Sequence, residues 1–513
     1  MSTLTSRSAH LSPSASSAPG DGAVLTRVGR WTPWLLFALA LALRLYRLGD
    51  ESLWVDEGNS LRDAAGLTAH GRYRPLYYLV LAAWQHLGTG EAWLRVPSVL
   101  FGAGAVALLF LAARRLAGAR IATVAALLMT FAIPELDHSQ EVRMYAMGSF
   151  LGLASVVALL RWLDRRRAIW VAVHGVLAAM AALTSAGSLL LVVPAAGAAA
   201  WLHRRDRRIR AGLLAAWLMV AAVLASQAGH ARRGLGEFGG ERRWITPPVA
   251  GELFYFAGRR LVPNMQYLGE DPAQVAVLKV TAIVALALLA LAVANPHRDP
   301  RLVAARPIAL VLAAVVAAVW IYSQLTLPLW MARTFHSVAP AVYVLVAMGL
   351  VALRELRPRL GIAAVTLLAA VLAGGATKYY LLPERDDWRG ALAWVDDHAR
   401  PGATVCVVDP IYFPIVRYYR PATTCGLDTD LSLGEEATTR HAADLLAQMA
   451  PGRGASFVVM RVAKRFSTLH ERMEEELARQ GRLLGTFVGL NVRAFAVAPE
   501  PRPTAAGLVK SPG

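Results

Sequence analysis

The sequence predicts an all-α polytopic membrane domain of about eleven to thirteen spans, followed by a small α/β domain outside the membrane. Three observations carry this. The 513-residue chain is 56% hydrophobic and only 17% charged, with a mean hydropathy of +0.43, too little charge for an ordinary soluble domain. Apolar runs recur from about residue 31 to residue 380, each near the ~20 residues that cross a hydrocarbon core. Beyond residue 384 the pattern changes to short strand-like runs and one amphipathic stretch.

The elements follow in order. Residues 1–24 are rich in Ser, Ala and Pro and read as a disordered cytoplasmic tail. The run Trp31–Leu43 imitates a signal peptide, but later spans favour a retained first helix. Spans are expected near 31–48, 97–113, 120–136, 144–161, 168–184, 187–202, 211–228, 274–294, 305–325, 334–353 and 360–378. Segment 75–88 is apolar and aromatic but short, and reads as re-entrant or interfacial. The membrane domain then covers 25–380, the external domain 384–500, and 501–513 is a second tail.

The formal net charge of +18 would suggest nucleic acid in a soluble chain. Here the Arg residues cluster between apolar runs, so the charge reads as topology and no nucleic-acid partner is expected. With the N-terminus inside, every short connection assigned to the cytoplasm is basic. Opposite connections hold Asp50, Glu51, Asp56, Glu57, Glu135, Asp137 and Glu141. An odd number of spans places the C-terminal domain in the periplasm of a bacterial inner membrane. In that domain Thr404–Val408 and Ser456–Met460 read as buried strands, 467–480 as a helix and 482–497 as a strand pair. Cys406 and Cys425, the only cysteines, read either as a disulfide or as buried thiols.

Two outer connections are rich in chemistry-bearing residues. The first, from Gly49, reads GDESLWVDEGNSLRDAAG and sets Asp56 beside Glu57 near the membrane surface. Two solvated carboxylates are one reading; a general base with low-dielectric surroundings is the other. The second, from Pro134, reads PELDHSQEVRMYAMGS and packs Glu135, Asp137, His138, Glu141 and Arg143 between spans. Polar groups at such depth are costly. His138 with these acids leaves a divalent metal open, although the spacing fits no specific ligand motif.

These motifs carry a resemblance. LRLYRLGDESLWVDEG from Leu43, PLYYLVLAAW from Pro75, LRVPSVLFGAGAVALLFLAARRLAG from Leu94, SQEVRMYAM from Ser139, WITPP from Trp244 and RTFHSVAPAVYVLVAMGL from Arg333 stand in order. The chain resembles the C-type-fold membrane glycosyltransferases that use polyprenyl-phosphate-linked sugars. It is similar to the bacterial relatives of protein O-mannosyltransferases and the lipid A aminoarabinose transferase. The external domain matches only through DDWRGALAWVDDHARPG from Asp386.

The resemblance implies transfer of a sugar, with inversion, from a polyprenyl phosphate to a lipid, glycan or protein acceptor. It implies Asp56 as the catalytic base, with Glu57 and Glu141 as further catalytic candidates. It implies Arg74, Tyr77, His138, Arg143, Tyr145 and Arg333 as substrate contacts, names no metal ligand, and leaves a divalent metal open, because the class includes both kinds. One departure stands out: Tyr73-Arg74-Pro75 replaces the family's His or Lys followed by two prolines. A transporter or flippase is the alternative reading of many helices with intramembrane charge. The acids concentrate on one face and no repeat relates the halves, which favours catalysis.

Overall fold

The computed structural model describes residues 22–66, 74–230, 247–262, 272–295, 299–326, 328–383, 385–400, 403–420, 424–427, 456–462, 469–498 and 509–510. Seven helices are long and apolar enough to cross a membrane: Glu91–Ala117, Tyr145–Arg165, Arg207–Ser226, Pro272–Ala294, Pro300–Leu325, Ala332–Leu356 and Pro358–Leu381. All seven fall on expected spans. Two shorter apolar helices, Ala168–Thr184 and Ala186–Leu202, fall on two more. The first helix runs Gly22–Leu45 and so begins inside the segment expected to be tail. Ala332–Leu356 lies at the centre of the bundle, almost wholly buried by protein, whereas Pro358–Leu381 lies at its edge.

The span expected at 120–136 is broken. Helix Ala119–Phe131 ends, Ala132 is extended, and helix Ile133–Ser139 leaves at 61°. Pro134 sits in the first turn of the second helix, where its missing N–H costs nothing. The break orphans carbonyls at the end of the first helix. Arg44, fully buried, takes two of them: its Nη1 donates to Thr130 O at 3.4 Å and Nη2 to Met129 O at 3.5 Å. Its Nε donates to Ser139 Oγ at 3.0 Å. Gly102 lets the long helix approach, since a Cβ there would lie 2.1 Å from Ser139 Oγ. The motif beginning at Pro134 is therefore a folded corner between two helices.

Segment 75–88 forms the helix Pro75–Gln85, eleven residues and too short to span. Its Tyr77, Tyr78 and Leu81 are buried in one apolar cluster with Leu53, Val142, Trp388, Val405, Val407 and Ile415. The membrane loops and the C-terminal domain thus share a continuous core.

That domain is a six-stranded sheet of order β2-β1-β3-β5-β4-β6. The strands are β1 Val405–Val408, β2 Thr424–Leu427, β3 Ser456–Arg461, β4 Leu483–Gly489, β5 Val492–Val497 and β6 Val509–Lys510. β2, β1 and β3 run parallel; β3–β5 and β5–β4 are antiparallel. Side chains alternate between faces. Val405 and Val407 face the membrane loops, while Cys406 and Val408 pack with Leu469, Met473 and Leu477 of helix Leu469–Arg479. Cys406 and Cys425 are partners across β1–β2 and form a disulfide, which settles the alternative left open by the sequence. β6 pairs with β4, so part of the expected 501–513 tail is strand. Residues 1–21 of the expected N-terminal tail lie outside the described residues.

Candidate active site

The site is built on the first turn of helix Val55–Gly66. Asp56 and Glu57 occupy that turn, where carboxylates complement the helix dipole. Glu57 reaches back to accept from the Trp54 N–H at 3.1 Å, as the third helical residue of a capping box does.

Their side chains go opposite ways. Glu57 is fully buried. Arg95 grips it with two bonds, Nε to Oε1 and Nη2 to Oε2, both 3.0 Å. Arg385 Nη1 donates to Oε2 at 3.0 Å and the Val142 N–H donates to Oε1 at 2.8 Å. Burial alone would raise its pKa; the charges of Arg95 and Arg385 with these hydrogen bonds overcome it, leaving Glu57 below its ordinary value. Arg95 also donates to the carbonyls of Leu48, Glu51 and Ser52, fixing the loop ahead of the helix. A carboxylate so enclosed is a strut; its geometry does not present it to a substrate.

Asp56 is partly exposed, at 23% of its side chain, and two guanidiniums converge on its Oδ2. Arg333 Nη1 donates at 2.9 Å and Arg143 Nη2 lies at 3.4 Å. Among the described residues no hydrogen bond falls on Oδ1. Arg143 is braced by Asp56 O at 2.9 Å, Ser60 Oγ at 3.2 Å and Tyr145 OH at 3.3 Å. Its carboxylate partner is Asp56, not the nearer-in-sequence Glu141 or Asp137. Arg333 opens the 3-10 stretch Ala332–Val338, which leads into the central helix.

Glu141 is buried and pairs with His138 Nδ1 at 2.7 Å. The His138 ring packs edge-on against His336 at 4.6 Å and beside Tyr145 at 4.8 Å. His336 in turn lies 3.6 Å from Glu135, which accepts from Tyr343 OH at 3.2 Å. Among the described residues no three of His, Cys, Asp and Glu converge with metal-ligand geometry. Tyr77 is buried beneath the site, near Ser98 and Arg143, and burial raises its phenol well above its ordinary range. Arg74 stands at the N-cap position of helix Pro75–Gln85 without a side-chain capping bond. Tyr73 lies outside the described residues.

The structure thus brings Asp56, Arg143, Tyr145 and Arg333 to one place, with His138 and Glu141 adjoining. Sequence reasoning missed Arg95 and Arg385. The signal for Arg95 was present, a charge inside the apolar LRVPSVLFG run; for Arg385 it was absent, because ordinary polar sequence surrounds it.

Comparison with known proteins bears on the fold. Residues 72–228 match the family model described as dolichyl-phosphate-mannose-protein mannosyltransferase. No curated protein is matched. Among solved structures, the chain is similar to ArnT from Cupriavidus metallidurans in the apo state, with 13% identity, a TM-score of 0.58, and 94% of this chain and 100% of that one covered. The same protein bound to undecaprenyl phosphate aligns at 14% identity and TM-score 0.54 over 92% and 99%. The Archaeoglobus fulgidus oligosaccharyltransferase, in complex with Zn and sulfate, aligns at 13% and 0.52 over 91% and 73%. At such identities the structural likeness speaks to the fold. The chain has the C-type membrane-glycosyltransferase fold, and its segment 72–228 is the part that matches the mannosyltransferase family.

Proposed function

We propose that this protein moves a sugar, with inversion, from a polyprenyl phosphate carrier to an acceptor on the face of the membrane that bears the C-terminal domain. The observation that carries the reading is the meeting of one partly exposed carboxylate, Asp56, with the Arg143 and Arg333 forks. Polyprenyl donors stay in the bilayer, so the reacting groups must sit at its edge, where the first outer helix and the start of the central helix meet.

The chemistry balances in a single displacement. The acceptor oxygen attacks the anomeric carbon while its proton passes to Asp56. The bond between that carbon and the phosphate oxygen breaks, and the electron pair leaves with the polyprenyl phosphate. Arg333 and Arg143 face the charge that develops on the phosphate, where planar guanidinium suits its oxygens. Before donor binds, the same two groups hold Asp56 in place. Glu141 holds His138, whose ring packs beside Tyr145 and His336 and so orients Tyr145. Lipid, glycan and protein hydroxyls all fit as acceptors of this chemistry, and hexoses and pentoses as the sugar. A divalent metal is not part of the proposed step.

The test is purified protein with radiolabelled undecaprenyl-phosphate-linked hexoses and pentoses. Transfer or slow hydrolysis of one of them is expected. Protein that folds but leaves the whole panel intact would sink the reading. Comparing glycolipids and glycans of a deletion strain with its parent then identifies the acceptor.

A further inference from the structure

We infer that Arg385 is a positioning residue for Asp56, so that the C-terminal domain is a working part of the site. This rests on the glycosyltransferase reading above for its kinetic consequence, though not for its structural one. Arg385 follows the last membrane helix and is 11% exposed. It joins both outer motifs at once. Nη1 donates to Glu57 Oε2 at 3.0 Å and Nη2 to Gln140 O at 3.2 Å. Nε lies 3.3 Å from Glu51 and Nη2 3.5 Å from Asp137.

Glu57 is the next residue after Asp56 and caps the same helical turn through the Trp54 N–H. A shift of Glu57 therefore rotates the turn that aims Asp56. Neighbouring contacts from the domain press the same element. The Leu53 N–H donates to Tyr419 OH at 2.8 Å, Ser52 Oγ donates to Asp386 O at 2.6 Å, and the Ile415 backbone sits against Gly58. A Cβ at Gly58 would lie 2.8 Å from Ile415 N, so backbone would have to move. Misplacement of a catalytic group by about 1 Å costs on the order of 100-fold in rate.

The experiment uses the full chain in nanodiscs with Arg385→Ala, Arg385→Lys and Gly58→Ala. Backbone hydrogen exchange over residues 53–60 is expected to quicken about 10-fold in Arg385→Ala, with the membrane helices unchanged. With an undecaprenyl-phosphate-linked sugar, kcat per folded molecule is expected to fall about 10-fold or more while donor KM stays within about twofold. Arg385→Lys recovers part of both, because a point charge replaces a fork. Gly58→Ala, which leaves every charge in place, produces the same loss from the other side of the contact. If Arg385→Ala does not fold, Arg385→Lys decides the matter: intermediate exchange at 53–60 and intermediate kcat are expected, and parental values of both overturn the inference. Unchanged exchange at 53–60, or kcat within twofold in the folded variants, overturns the inference. Wild-type protein inert on every donor overturns the glycosyltransferase reading instead, and the exchange result still decides whether Arg385 fixes the helix.

Discussion

Arg95 clasps Glu57 side-on, with Nε on Oε1 and Nη2 on Oε2 at 3.0 Å each, and neither side chain is open to solvent. This pair joins the membrane helix Glu91–Ala117 to helix Val55–Gly66 and leaves the adjacent Asp56 partly exposed. Two adjacent acids that look alike in sequence are set apart by what surrounds them: Glu57 is enclosed as a strut and Asp56 is left partly exposed.

Asp56→Asn is expected to abolish transfer while leaving yield and thermal stability near the parent. The swap keeps size and hydrogen bonding and removes basicity, so the barrier should rise by about 2.7 kcal/mol or more. Steady-state transfer by the purified variant checks this; activity within a few-fold of the parent would remove Asp56 as the base.

Arg95→Ala should be far more damaging to folding than to any single kinetic constant. It leaves a buried carboxylate short of its main partner, a loss of about 3–5 kcal/mol. Folded yield by detergent size exclusion and the thermal midpoint report it. The pH dependence follows from Glu57. Its folded pKa lies below the ordinary value of 4.5, so its contribution is fully present above that pH and is lost as pH falls through the folded value. Acid destabilisation below about pH 4.5 should therefore be shallower in Glu57→Gln than in the parent, and less stable at neutral pH throughout.

Arg143→Ala and Arg333→Ala should fold and use the donor poorly, each losing roughly 1.5–3 kcal/mol in kcat/KM. Lys at either position should rescue only partly. Donor titration of each variant is the measurement. If neither shifts KM or kcat more than about twofold, the phosphate is held elsewhere, and Arg260, buried near the same 3-10 stretch, becomes the next residue to change.

The Cys406–Cys425 bridge closes a short loop, 19 residues in sequence separation, and should contribute about 3 kcal/mol. Intact protein should not react with maleimide until reduced. Cys406→Ala with Cys425→Ala should lower the midpoint of the C-terminal domain. Free thiols in non-reduced, folded protein would contradict the pairing.

A reporter that works only in the periplasm, fused after residue 384, should be active. A cytoplasmic reporter working there instead would invert the placement of the whole site. It would also require segment 75–88 to be reconsidered, although its eleven-residue helix is too short to span.

Sequence by itself determined the parts governed by local periodicity and composition. Runs of ~20 apolar residues specify membrane helices because each backbone must satisfy itself in lipid. Short continuous apolar runs placed β1 and β3, residues 482–497 read as the strand pair β4 and β5, and the resemblance pointed to Asp56, Arg143 and Arg333. Where a Pro falls in an apolar run, the sequence alone read one span; the structure bends it by 61° because Arg44, 85 residues before Met129, is there to take the freed carbonyls. The division of labour between Asp56 and Glu57 was likewise illegible. It depends on Arg95 and Arg385, 38 and 328 residues from Glu57, and on the helix Phe413–Tyr419, which sets Ile415 and Tyr419 against helix Val55–Gly66 and the residues before it. Charge pairing in a low-dielectric interior is decided by which distant residues arrive within about 3 Å, and only the tertiary fold sets that distance.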